Sequence, residues 1–207
     1  MADPHVDARE KFQAIHPRAG VFGMALFLVS LTILFAAAML GYLIVAQRAQ
    51  GSHPQMPPIH LPWLLWFSTV VILLSSVTVH LALHHVQRGH QKAFVRWLTV
   101  TFVLAIAFVL VQVPSLILML VEHARGLPKY PTVDDPSFAF LGLIVALIVI
   151  HALHVLGGVI PLGVIHHHAR RQDYDHQAHN PILYIAMYWH FLDVIWLIMF
   201  TLLWLTV

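Results

Sequence analysis

The chain is 207 residues long, 59% apolar and 10% charged, with a formal charge of +2 and no cysteine. A soluble domain is roughly half apolar and about a quarter charged, so a mean hydropathy of +0.79 excludes a soluble enzyme, a disordered chain and a nucleic-acid-binding domain. Lack of cysteine excludes disulfides, iron–sulfur clusters, thiolate zinc sites and cysteine nucleophiles.

The first eleven residues, MADPHVDAREK, are mixed in charge and lack the short apolar core of a cleavable signal. Residues 1–19 are expected to be an N-terminal segment, cytoplasmic by the charge distribution along the chain. Five apolar runs follow, near 20–46, 62–86, 95–121, 138–165 and 182–206. Each reaches the about 20 residues that cross about 30 Å of hydrocarbon. None alternates with period two, as the strands of a barrel would. In lipid every backbone amide must be paired within its own segment, so the runs are predicted to be helices. The expected fold is all-α: one integral membrane bundle of five transmembrane helices over 1–207. The gaps at 47–61 and 122–137 contain proline and are predicted to be loops.

Charge sets the expected orientation. Arg9, Lys11, Arg18, Arg88, Lys92, Arg96, Arg170 and Arg171 fall on one side of the bundle, and Arg48, Arg125 and Lys129 on the other. The positive-inside rule then places the N-terminus in the cytoplasm and the C-terminus outside. Glu122, Asp134 and Asp135 would face outward.

Small residues four apart, Ala37 with Gly41 and Gly142 with Ala146, are candidate sites of close helix approach. Pro114 and Pro161 are expected to kink the third and fourth helices. Trp63, Trp66, Trp97 and Trp204 lie near predicted ends and suit the interfacial belt.

The 17 histidines are the compositional oddity. Charged groups inside a membrane helix cost about 2.5–3.5 kcal/mol on insertion scales, so ionisable residues there ask for partners. On the second helix Ser76, His80 and His84 share one face at i, i+4 and i+8. On the fourth, His151, His154 and Gly158 share a face. On the fifth, His190 and Asp193 are three apart and could bond to each other, beside Trp189 and Trp196. The residues alone leave three readings open. They form a buried polar network that fixes register, or two imidazoles at matching depth (His154 and His190) ligate a b-type haem, or they line a proton path. No histidine lies in the outer half of a helix, so a two-haem relay across the membrane is excluded. Three histidines around a copper do not converge anywhere in the pattern. His166, His167 and His168 point in different directions and are expected to form a collar with Arg170 and Arg171. His53, His60, His176 and His179 are expected at the loop surface.

The stretch Tyr188-Trp189-His190-Phe191-Leu192-Asp193-Val194-Ile195-Trp196 resembles the signature of subunit III of the haem–copper terminal oxidases. His151-Ala152-Leu153-His154-Val155 with Gly157-Gly158, and Ser75-Ser76-Val77-Thr78 followed by His84-His85, are similar to two further family segments. Gly23-Met24 with Phe27-Leu28-Val29-Ser30, and Gln112, match in order as well. Five helices suit the short bacterial form. The resemblance implies a bacterial inner-membrane subunit without a catalytic residue, metal or redox centre of its own, packed against subunits I and II, where haem and copper reside, and binding membrane phospholipid. It implies a complex that passes electrons from cytochrome c, or in some relatives quinol, to dioxygen while pumping protons. By resemblance His154, His190, Asp193 and Trp196 would be buried positions that shape the bundle and its lipid or subunit contacts; with Ser76, His80, His84 and His151 from the helix faces they make up the candidate polar-network or contact residues. The chain departs from the family where glutamates are common, at Leu31, Ser115 and Leu183. Those departures keep a nitric oxide reductase accessory as an alternative. A b-type cytochrome anchor stands as one from another class, with a proton-coupled transporter last.

Overall fold

The computed structural model describes residues 17–52, 63–126, 136–171 and 180–206. They form five helices: α1 (Pro17–Ser52), α2 (Trp63–Gln87), α3 (Gln91–Gly126), α4 (Pro136–Arg170) and α5 (Asn180–Thr206). All five are long and apolar enough to cross a membrane. Proline opens α1 and α4 and stands second in α5, where its missing N–H falls among amides that have no helical partner anyway.

The helices outrun the apolar runs. Residues 47–52 and 122–126, expected in loops, are helical, and the connection between the second and third spans shrinks to Arg88–His90. Hydropathy reports the length that crosses hydrocarbon, whereas a helix continues until its backbone is capped. The cap that ends α2 is explicit. Gly89 adopts φ +72°, its N–H donates to Val86 O at 3.0 Å, and His90 N–H donates to His85 O at 2.9 Å. Those two bonds define a Schellman motif, whose left-handed position glycine fills without a Cβ clash. Pro114 and Pro161 lie inside continuous helices.

Helices α2, α3, α4 and α5 close into a ring, each touching the next, and α1 lies outside it against α4 and α5. Thr69 meets Trp196, Ser75 meets Trp189 and Ser76 meets His190, so α2 and α5 run antiparallel in constant register. Phe27 meets Tyr188 and Tyr42 meets Thr206, so α1 and α5 run parallel. The ring interior is filled by Leu65, Phe94, Leu98, Phe108, Leu147, Leu162, Trp189 and Trp196, all essentially buried.

Close approaches occur elsewhere than the expected small pairs. Gly41 and Gly142 have open space where a Cβ would stand. A Cβ on Gly158 would instead lie 3.1 Å from both Leu192 and Tyr188, and one on Gly163 would lie 3.2 Å from Phe102. Glycine is therefore used where a large aromatic or aliphatic side chain lies across the neighbouring helix. Two glycine–alanine pairs four apart merely face outward.

Candidate functional site

Lipid tails are as apolar as leucine, so burial alone gives neighbouring helices little reason to associate, and directional contacts matter more. The α2–α5 contact is built from such contacts. Trp196 Nε1–H donates to Thr69 Oγ1 at 3.0 Å and Trp189 Nε1–H to Ser75 Oγ at 2.8 Å. Ser76 Oγ and His190 Nδ1 are 2.6 Å apart. Beyond these rungs, Trp66 packs edge-on against Phe200, with ring centroids 4.9 Å apart. The rungs recur because α2 carries hydroxyls at 68, 69, 75, 76 and 78, while α5 presents Trp189 and Trp196 two turns apart.

The same hydroxyl-bearing helix also holds α3. Ser68 Oγ donates to Gln112 Oε1 at 2.6 Å and Thr101 Oγ1 to Thr78 Oγ1 at 2.9 Å. Between α3 and α4, Thr99 Oγ1 and His166 Nε2 are 2.9 Å apart, and the His166 ring stacks on Phe102. His166 thus turns into the bundle and is no member of an outward collar; His167 is exposed and lies against His168.

The residues singled out in the sequence fall into three separate places. Ser76, His80, His190 and Asp193 gather between α2 and α5. The His80 and His190 rings are 6.2 Å apart, and Asp193 Oδ2 lies 3.9 Å from His190 Nδ1. That nitrogen is taken by Ser76, so the expected His190–Asp193 hydrogen bond is not formed. Asp193 is only 4% exposed, and neither carboxyl oxygen makes a hydrogen bond within the described residues. His80 is exposed, and His84 is half-buried against His85. The second place is the ring interior, where His151 stacks on Trp196 at 5.2 Å. Neither His151 nitrogen has a hydrogen-bond partner among the described residues. The ring borders a cavity of about 80 Å³ between α3 and α4, which Gln112 also lines. The third is the α1–α4 contact, where His154 Nδ1 lies 2.7 Å from its own helix's Ile150 carbonyl and its ring packs against Phe35.

His154 and His190 therefore point away from each other, one to α1 and one to α2, and do not frame a common haem. Among the described residues no three histidine, aspartate or glutamate side chains converge as metal ligands. The positions where the resemblance led us to look for glutamates are occupied by a buried Leu31, a part-buried Leu183 and a buried Ser115 whose hydroxyl returns to Val111 O at 2.6 Å. His53, His60, His176 and His179 lie outside the described residues.

Sequence reasoning missed Ser68, Thr69, Ser75, Thr78 and Thr101 as partners. For the four on α2 the signal was present: with Ser76 they make five hydroxyls in eleven residues of an otherwise apolar span, and α5 carries tryptophans whose indole N–H needs an acceptor when buried. A further feature had no clear signal. Met24, Phe27, Gly157, Pro161, Tyr184 and Tyr188 line an apolar groove of about 450 Å³ shared by α1, α4 and α5.

Fold and site together define a multi-pass membrane bundle in which several buried hydroxyl, indole and imidazole groups join neighbouring helices. The family model for cytochrome c oxidase subunit III matches residues 11–206, and the chain belongs to that family: it is a subunit III of the haem–copper oxidases. It is 28% identical to the cytochrome bo(3) ubiquinol oxidase subunit 3 of Pseudomonas aeruginosa, over 99% of this chain and 94% of that protein. It is 27% identical to the cytochrome c oxidase subunit 3 of Thermostichus vulcanus, over 92% and 89%. With the quinol oxidase subunit 3 of Bacillus subtilis it shares 25% identity over 94% and 91%. The family places the chain in a complex with other oxidase subunits.

Proposed function

We propose that the chain is the non-catalytic third subunit of a proton-pumping terminal oxidase in a bacterial cytoplasmic membrane, its N-terminus inside. It braces subunits I and II, in which haem and copper reside, and binds phospholipid. The family match along almost the whole chain supports this most strongly. The geometry agrees in kind: the polar residues of the spans are directed at helix contacts, and the two best-matched imidazoles diverge. The groove among α1, α4 and α5 is apolar and of a size to take acyl chains, and we assign the phospholipid there.

The electron donor in this reading is cytochrome c. Quinol is the second reading, favoured by the names of relatives from Pseudomonas aeruginosa and Bacillus subtilis. Affinity purification through this chain from its own membranes tests the proposal. Subunits I and II with haem and copper should accompany it, and the complex should reduce dioxygen with reduced cytochrome c. Oxidation of quinol alone would transfer the assignment to the second reading, and absence of a haem–copper subunit would overturn both. The chain by itself should show no Soret band; one that vanishes in His154→Ala would make it a cytochrome.

A further inference from the structure

Asp193 is the only acidic residue in any of the five spans. A carboxyl group at that depth, with neither oxygen hydrogen-bonded among the described residues, is costly to place in a membrane bundle. Such groups mark sites of ion or proton transfer by default. A route to the surface starts beside it. His190 Nδ1 is 3.9 Å away, and the His80 ring is 6.2 Å from that of His190. His84 stands one turn along the same face of α2 from His80. Its ring lies 6.0 Å from that of His85, and the His85 ring lies 5.9 Å from that of His90, which is exposed in the α2–α3 turn. The last step depends on the helix cap. Gly89 at φ +72° folds the chain back so that His90 N–H bonds His85 O, with the two rings tilted at 50° to each other. His85 Nδ1 is itself buried without a hydrogen-bond partner among the described residues.

Imidazole is the side chain whose ordinary pKa lets it both take and release a proton near neutrality. Its two nitrogens allow a proton to arrive on one and leave from the other. At the His190–His80, His84–His85 and His85–His90 steps, ring centroids about 6 Å apart leave gaps that a ring rotation or one bridging water spans, and His80 and His84 are one helical turn apart. We propose that His90, His85, His84, His80 and His190 form a proton-conducting row between the aqueous phase at the α2–α3 turn and Asp193, which holds the delivered proton. In each step one nitrogen accepts a proton while the other releases one to the next ring. At the end His190 Nδ1 exchanges its Ser76 hydrogen bond for the Asp193 carboxylate 3.9 Å away, the carboxylate becomes a carboxylic acid, and no electron moves. Charged groups beside the row's mouth are Arg88 in the turn, Lys92 at the start of α3, and Arg170 next to Ala169, whose carbonyl accepts from Gln91. The inference rests on the geometry of this chain, whichever catalytic subunit accompanies it.

The test is infrared spectroscopy of the purified complex after a light-triggered pH jump. Asp193→Asn identifies the carboxyl band by its loss. In the unaltered complex the band should follow the jump. His80→Phe should slow that response about tenfold or more, equivalent to about 1.4 kcal/mol on the barrier, with the final amplitude unchanged. His90→Gln should slow it less and be restored by added imidazole, while His167→Phe, off the row, should leave the rate alone. An unchanged final amplitude in His80→Phe shows that the bundle is intact, so a slow response there is not misfolding. A band that follows the jump at the original rate in His80→Phe would overturn the proposal. So would an Asp193 that never changes protonation between pH 5 and 9, about the range that imidazoles serve.

Discussion

Helices α1 and α5 are both long and apolar enough to cross a membrane, yet they are held in opposite ways. In the most apolar stretch of α5, 56% of residues are buried, against 11% in that of α1. Helix α5 touches α1, α2 and α4 and is fixed to α2 by hydroxyl–indole and hydroxyl–imidazole rungs. Among the described residues helix α1 touches only α4 and α5, leaning on them through Phe27, Phe35 and Tyr42 and presenting Phe22, Ile33 and Leu40 outward. In a bilayer the same composition serves both, because an apolar residue is as well placed against lipid as against protein. Position is then determined by the few polar and small residues, and those sit mainly in α2, α4 and α5.

The contrast can be broken where α4 packs closely on α5. Gly158→Leu drives a side chain into Leu192, Tyr188 and Trp189, and should cost about 2–3 kcal/mol in detergent unfolding, at the upper end for overpacking. Gly41→Leu, facing open space on α1, should be nearly neutral in the same assay. Next in size is Gly89→Ala, which forces a Cβ into the left-handed region and should cost about 1–2 kcal/mol and fray the end of α2, read by amide exchange at His90. Trp196→Phe removes the donor to Thr69 but leaves the ring stack, so a loss of about 1 kcal/mol is expected, within the range of interhelical hydrogen bonds in membranes. Smallest is Ile33→Ala on the outward face of α1, expected within about 0.5 kcal/mol of the unaltered chain. A large loss there would mean that α1 is held by more than its contacts with α4 and α5.

Much of the architecture was legible before the structure. Five spans and their order could be read, and Ser76, His190, Asp193 and Trp196 could be singled out, because such residues stand out against an aliphatic background. Helix ends were misread by about a turn, since residues 47–52 and 122–126 are too polar to register as membrane yet remain helical. The faces were harder. Ala37, Gly41, Gly142 and Ala146 fit a close-packing pattern but look outward, whereas Gly158 meets three α5 side chains. Spacing along one helix cannot say which neighbour lies across from it, and when both faces are apolar there is no amphipathic contrast to help. The split of the histidines among three places was hidden for the same reason. His151 and His154 are three apart, yet one stacks on Trp196 and the other packs on Phe35.

A double-mutant cycle on Ser75 and Trp189 asks most directly whether directional polar contacts hold α5 in register against α2. Ser75→Ala, Trp189→Phe and the double variant would be unfolded in the same detergent. A coupling of about 0.6–1.7 kcal/mol is predicted, the span measured for interhelical hydrogen bonds; additive losses would show that the rung does not join the two helices.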